Sequence, residues 1–144
     1  MQVNLAYLMS LDPDTLLWTW RKNAGMAPQG RAAGGWEGPD MELRGHFLGH
    51  WLSATAMTWS STNDTQLEQR MRYVIQVMRD VAKHLGASGY VSAFPESFLD
   101  RYERIEPVWA PYYTLHKVLV GLLDQYVLYP REAPSHCHPP RHAL

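Results

Sequence analysis

The chain is organised around residues 34–60, GGWEGPDMELRGHFLGHWLSATAMTWS, in which a glycine-rich turn leads into a long apolar segment. Pro39 and Asp40 are typical of a turn followed by a helix start, so they predict a helix over residues 41–60. The apolar side chains of this segment do not keep to one stripe. Because they surround the predicted helix, we expect it to be buried on most of its sides.

Polar residues of the same segment mark a candidate site. Glu42, His46 and His50 recur at intervals of four residues, which puts them on one face of the predicted helix. Trp36 and Glu37 precede them in the turn, so carboxylates, imidazoles and an aromatic ring come together in sequence. The alternative is that both histidines only help the helix to pack. A zinc site of the HExxH kind is not expected, because the run HFLGH lacks its glutamate.

Composition restricts the class of protein and its partners. The 144 residues are 46% hydrophobic and 19% charged, which is typical of one globular domain with a substantial core. A formal net charge of -1 without any basic run argues against nucleic acid or an anionic membrane as a partner. The N-terminal residues MQVNLAYLMSL predict neither a signal peptide nor a membrane span. The single cysteine, Cys137, cannot form an internal disulfide, so cysteine content does not indicate whether the protein works in an oxidising or a reducing compartment.

Apolar spacing and capping signals predict further helices along the chain. They cover residues 4–9, 13–23, 64–85, about 95–103 and 112–129. The helix over 64–85 has one apolar side, whereas those over 41–60 and 112–129 are apolar nearly all round. No segment alternates with period two for long, so the chain is predicted to be all-α. Alternation of buried and amphipathic helices favours a double-layered helical barrel over a simple bundle.

The composition changes at Pro130. Residues 130–144, PREAPSHCHPPRHAL, contain four prolines and no apolar period, which predicts a disordered tail. His136, Cys137 and His138 lie in this tail. Their number and spacing do not match a closed tetrahedral zinc site, so we predict no metal site there.

Three blocks of sequence point to a known family. GGWEGPDMELRGHFLGHWLSA, GYVSAFPESFLDRYE and PVWAPYYTLHKVLVGLLDQY resemble the N-terminal part of the catalytic domain of β-L-arabinofuranosidases, glycoside hydrolase family 127. The resemblance runs from about residue 4 to residue 129. It implies that residues 1–129 are the beginning, about four helices, of an (α/α)6 barrel. It also implies an L-arabinose-containing glycan as the partner, with retaining hydrolysis of non-reducing-end β-L-arabinofuranosides by the full-length relative.

The chain departs from the family pattern in its catalytic groups. Family members are described as using a zinc-bound cysteine nucleophile and a glutamate acid/base, and neither motif has a counterpart here. Cys137 lies outside any family motif, so it is not taken for the nucleophile. We therefore expect a fragment or a shortened gene with no catalytic residue and no cofactor, zinc belonging to the full-length domain. We also expect the chain alone to be inactive, and to self-associate through uncovered apolar surface.

The resemblance adds candidate substrate-binding residues to those of the first segment. His116, in the motif YYTLHK, resembles a family histidine that contacts the sugar, and a neutral imidazole both donates and accepts hydrogen bonds. The predicted binding residues are His116, His50, His46, Trp36 and Tyr112. Trp36 and Trp109 are both candidates for stacking on sugar rings, with hydrophobic anchoring as the alternative for each. For the histidines the alternative is a ring satisfied by a backbone carbonyl. A sugar-binding or scaffold module without catalysis and a helical interaction domain are the other functional classes.

Overall fold

The computed structural model describes residues 2–86 and 89–129, and every regular element in these ranges is helical. The elements are α1 (Gln2–Ser10), α2 (Pro13–Asn23), a 3-10 turn (Gly35–Glu37), α3 (His46–Thr62), α4 (Thr65–Leu85), α5 (Ser97–Glu103) and α6 (Pro111–Leu128). The predicted all-α class is therefore confirmed for this part of the chain. None of the described helices has the length and apolar character needed to cross a membrane. The predicted tail, with its three histidines and Cys137, lies outside the described residues.

Capping side chains fix the bounds of α2 and α4, as predicted. The Asp12 carboxylate accepts a hydrogen bond from the Asp14 amide at 3.1 Å, and Asp64 accepts one from the Leu67 amide at 2.8 Å. Each aspartate satisfies a backbone donor that the first helical turn leaves free. Gly86, with φ +105°, ends α4.

The start of α3 differs from the prediction. The helix begins at His46 and not at residue 41, because Gly45 has a left-handed backbone with φ +99°. A Cβ added to Gly45 would lie 2.8 Å from the Ala93 Cβ, so both conformation and space require glycine here. Residues 42–45 form a turn, and Glu42 therefore does not share a helix face with His46 and His50.

Helix α3 is the central element of the fold. It contacts α1, α2, α4 and α6, and the core lies mainly where α3 meets α2 and α4. Fully buried side chains of this core include Leu17, Trp20, Leu48, Leu52, Leu67 and Val74. Burial of each such aliphatic side chain contributes about 1.5–3 kcal/mol before entropy is counted. The predicted burial of α3 on most sides is confirmed, with His50, Met57, Ser60 and Ser61 as exposed exceptions.

Helices α3 and α6 cross with their backbones in close contact. A Cβ on Gly49 would lie 2.4 Å from the Lys117 carbonyl carbon, and one on Gly121 would lie 2.4 Å from the Gly49 oxygen. Further along the crossing, Gln125 Nε2 donates to the Leu52 carbonyl at 2.8 Å. Only glycine permits this approach, which fixes the first turns of α6 beside the first turns of α3.

Helix α6 is less buried than its sequence predicted. Its buried residues Thr114, Val118, Gly121 and Gln125 face α3. On the opposite side an apolar stripe is exposed: Leu119 (64%), Leu123 (58%), Tyr126 (69%) and Val127 (65%). Apolar residues on all sides allow a helix to be buried on every side, but burial also requires neighbouring elements to pack there. In the described residues α3 covers one side of α6.

Candidate functional site

A buried carboxylate begins the candidate site. Glu37, in the 3-10 turn, accepts hydrogen bonds from the Gly45 amide at 2.7 Å and from the Phe47 amide at 2.9 Å. It thereby caps α3 from outside the helix, in place of the missing N-cap side chain. The same carboxylate lies 2.5 Å from His46 Nδ1, and both side chains are largely buried. Burial raises the pKa of the Glu37 carboxyl, while the hydrogen bonds from Phe47 and Gly45 and the charge of His46 oppose that rise.

His46 is held through one ring nitrogen and left open at the other. Its Nδ1 also lies 3.0 Å from the Leu43 carbonyl oxygen, which can only accept a hydrogen bond. Nε2 has no hydrogen-bond partner within residues 2–86 and 89–129. The His46 side chain keeps 11% of its surface exposed.

Two exposed tryptophans adjoin His46: Trp36 lies beside the imidazole, and Trp109 lies beside Trp36. Trp36 is 62% exposed and Trp109 is 44% exposed, and their rings meet edge to face with centroids 6.3 Å apart. The Trp36 ring is 6.5 Å from the His46 ring. Adjacent exposed indoles are unusual on a protein surface unless they contact another molecule.

His50 and two residues of α6 complete the cluster. The His50 ring lies 5.9 Å from that of His46, and the Tyr113 ring lies 6.1 Å from that of His46. The Lys117 ammonium sits 4.9 Å above the centre of the Tyr113 ring. Partial burial lowers the pKa of His50, and the positive charge of Lys117, together with that of His46 when its ring is protonated, lowers it further. His50 is therefore neutral at neutral pH, and it can both donate and accept a hydrogen bond.

The loop that carries Trp109 is fixed by Glu42. Its carboxylate accepts from the Trp109 amide at 2.7 Å and from Arg101 Nη1 at 2.6 Å. The neighbouring Arg44 donates from Nε to the Ala93 carbonyl at 2.9 Å and from Nη1 to the Met41 carbonyl at 2.7 Å.

The structure brings three of the five predicted binding residues together, namely Trp36, His46 and His50. Tyr112 packs edge to face against Tyr102, with ring centroids 4.9 Å apart, and has no described contact with the cluster. His116 is exposed on α6 and lies about 200° around the helix from the buried Val118. It therefore belongs to the outward side of α6.

Other members of the cluster were not among the predicted binding residues: Glu37, Trp109, Tyr113 and Lys117. The last two are spaced i, i+4 on one face of α6, a signal that the sequence does contain. The proximity of that face to His46 depends on the crossing of α3 and α6. Sequence spacing alone contains no information on which face of α6 this crossing selects.

The described residues do not fit the zinc of the family. No group of three or more His, Cys, Asp or Glu side chains within residues 2–86 and 89–129 is arranged to hold a metal ion. The pair His46 and His50 supplies two imidazoles, whereas zinc sites use at least three protein ligands. The described residues therefore offer no ligand set that would hold zinc.

Comparison with known proteins identifies the family. The family model for the β-L-arabinofuranosidase GH127 catalytic domain matches residues 1–132. The chain therefore belongs to this family of glycoside hydrolases, as the three sequence blocks predicted. No curated protein sequence matches it.

Proposed function

We propose that this chain forms the sugar-binding wall of a glycoside hydrolase that removes non-reducing-end β-L-arabinofuranose from L-arabinose-containing glycans. The observation that carries the proposal is the pair of exposed indoles, Trp36 and Trp109, beside the imidazoles of His46 and His50. Membership of the GH127 family gives the class of reaction.

The chemistry of the cluster suits a neutral furanoside. A furanose presents a C–H surface that an indole can cover, and hydroxyl groups that need both donors and acceptors. His50 offers both, since its lowered pKa keeps the ring neutral. The open Nε2 of His46 offers a second polar contact at the edge of the same surface.

In this proposal the helices are the beginning of an (α/α)6 barrel. The one-sided apolar pattern of α4 and the all-round apolar patterns of α3 and α6 are typical of outer and inner layers, respectively. The uncovered stripe of α6 is where another helix of such a barrel would pack. His116 and Tyr112 lie on that outward side, so we keep them as candidates for contacts beyond the first sugar.

We expect the 144-residue chain to bind the sugar without hydrolysing it. A glycosidase needs two catalytic groups on opposite sides of one glycosidic bond. The cluster contains one carboxylate, Glu37, whose oxygens are already occupied by the amides of α3. Binding and orientation alone are too little for useful turnover.

Titration of the purified chain with methyl β-L-arabinofuranoside, followed by ligand-observed NMR, tests the proposal. We expect saturable binding that Trp36→Ala and Trp109→Ala each weaken roughly tenfold, because each removes an aromatic contact of about 1–1.5 kcal/mol. Trp59→Phe is the matched control, since Trp59 packs against Tyr129 at the other end of α3. Affinities that are the same in all three variants would contradict the proposed site. No binding by the wild-type chain would favour the helical interaction module instead.

A further inference from the structure

The contact between Glu37 and His46 has a consequence for the ligand as well as for the helix. Capping of α3 uses the Glu37 oxygens as acceptors for two amides, and this role needs no histidine. Yet Nδ1 of His46 lies within 2.5 Å of Oε1 of the same carboxylate and within 3.0 Å of the Leu43 carbonyl. Nδ1 therefore faces two acceptors, whereas Nε2 has no hydrogen-bond partner among the described residues.

We propose that Glu37 is a positioning residue, which holds His46 in the tautomer with its proton on Nδ1 so that Nε2 accepts a hydrogen bond from a ligand hydroxyl. A neutral imidazole has one N–H, and the nitrogen that faces the acceptors takes it. The open nitrogen then has only a lone pair to offer. The identity of the ligand as a sugar rests on the proposed function, whereas the tautomer does not.

The tautomer of His46 determines which chemical group of a ligand Nε2 can bind. A lone pair on Nε2 attracts a hydroxyl hydrogen and repels a carboxylate or phosphate oxygen. The rings of Trp36, His50 and Tyr113 surround the His46 ring, so the hydroxyl would approach beside an aromatic surface. Together these contacts specify a neutral polyhydroxy compound with one apolar face.

The surroundings of the pair oppose the rise that burial causes in the pKa of the Glu37 carboxyl. The amides of Gly45 and Phe47 belong to the N-terminal turn of α3, where the helix dipole stabilises a negative charge. The Lys117 ammonium, the His50 ring and the Tyr113 phenol also face the cluster from α3 and α6. The described partners of Nδ1 are Glu37 and Leu43.

Nitrogen NMR of the histidine rings in the wild-type chain tests the proposal directly. In a chain labelled with ¹⁵N-histidine, two-bond ¹H–¹⁵N correlations distinguish protonated from unprotonated ring nitrogens, and loss of signals in His46→Gln assigns the ring. At neutral pH we expect His46 to show a protonated Nδ1 and an unprotonated Nε2. A proton on Nε2 in the free chain would overturn the proposal without any change to Glu37.

The variant Glu37→Gln tests the role of the carboxylate. Its amide group can present either an oxygen or an NH₂ to Nδ1, so we expect the His46 signals to move to a mixture of tautomers. We also expect the affinity for methyl β-L-arabinofuranoside to fall about tenfold, in line with the loss of one hydrogen bond. Glu68→Gln is the control, because Glu68 lies on α4 away from the cluster and contacts Arg72 and Tyr129.

The outcomes separate the two proposals. The expected tautomer without sugar binding would contradict the proposed function and leave the role of Glu37 intact. An unchanged tautomer in a folded Glu37→Gln variant would overturn the role of Glu37, whether or not the sugar binds. If Glu37→Gln does not fold, the wild-type ring nitrogens still decide the matter.

Discussion

At the scale of single residues, local spacing predicted some neighbours and missed others. His46 and His50 are four residues apart, and their rings do lie side by side in α3 at 5.9 Å. Glu42 was grouped with them by the same spacing, wrongly, because the left-handed Gly45 ends the periodicity. Glu37 reaches His46 only because residues 38–45 fold back over the start of α3. No repeat in the sequence encodes that return, so the contact between Glu37 and His46 was not predicted.

Partial burial and the Lys117 charge both act on the protonation of His50. Each lowers the pKa of His50 below its ordinary value of 6.5, and a protonated His46 lowers it further. In Lys117→Met the second cause is absent, so we expect the pKa of His50 to rise toward 6.5 in an NMR titration. Lys83→Met is the control, because Lys83 pairs with Asp80 on the exposed side of α4. A His50 titration that is identical in wild type and Lys117→Met would contradict the assigned cause.

The same shift makes stability depend on pH. Since the folded pKa of His50 is lowered, the unfolded chain binds this proton more readily than the folded chain. Above the unfolded-state pKa of about 6.5, His50 is uncharged in both states and does not make the free energy of unfolding depend on pH. As pH falls from there through the folded-state pKa, the folded state loses stability. The loss should be smaller in Lys117→Met, which can be checked by urea unfolding at several pH values.

At the scale of helices, capping residues predicted the helix bounds more accurately than apolar runs did. Asp12 and Asp64 marked the starts of α2 and α4, because an aspartate before a helix satisfies its free amides locally. The start of α3 was misplaced by five residues, since its cap, Glu37, comes from a separate 3-10 turn. The burial of one side of α6 depends on its crossing with α3, which two glycines make possible.

Substitution at the crossing should destabilise the fold. A Cβ at Gly121 would lie 2.4 Å from the Gly49 oxygen and 2.8 Å from the Leu52 Cβ, so α6 must move away from α3. For Gly121→Ala we expect a loss of about 1–3 kcal/mol in the free energy of unfolding, measured with urea. Gly34→Ala is the matched control, because nothing lies within 4 Å of its added Cβ. Equal stability of the two variants would show that the crossing is looser than described.

At the scale of the whole molecule, the sequence predicted the all-α class and the family, but not the extent of burial. The class follows from helical periodicity in every apolar segment, and the family from three long blocks of sequence. The surroundings of α6 could not be predicted, because an apolar side chain looks the same in sequence whether or not a partner covers it. The exposed stripe of α6 is the result.

That stripe should make the chain associate with itself. Leu119, Leu123 and Val127 are each more than half exposed on one side of α6, and contiguous apolar surface of this kind promotes association. By sedimentation velocity at micromolar concentrations we expect oligomers, and we expect Leu123→Lys to shift the distribution toward the monomer. Met57→Lys changes an equally exposed apolar residue of α3 and should leave the oligomers in place. A wild-type chain that sediments as one monomeric species would contradict this prediction.

The central claim is that the cluster of Trp36, Trp109, His46 and His50 is the sugar-binding surface. The most direct measurement is the map of ¹H–¹⁵N shift changes in the tryptophan indoles and histidine rings on titration with methyl β-L-arabinofuranoside. We expect saturable changes in the signals of these four residues, while the indole of Trp59 at the far end of α3 stays unchanged. Saturable changes confined to other residues, or none in these four while the chain remains folded, would contradict the account.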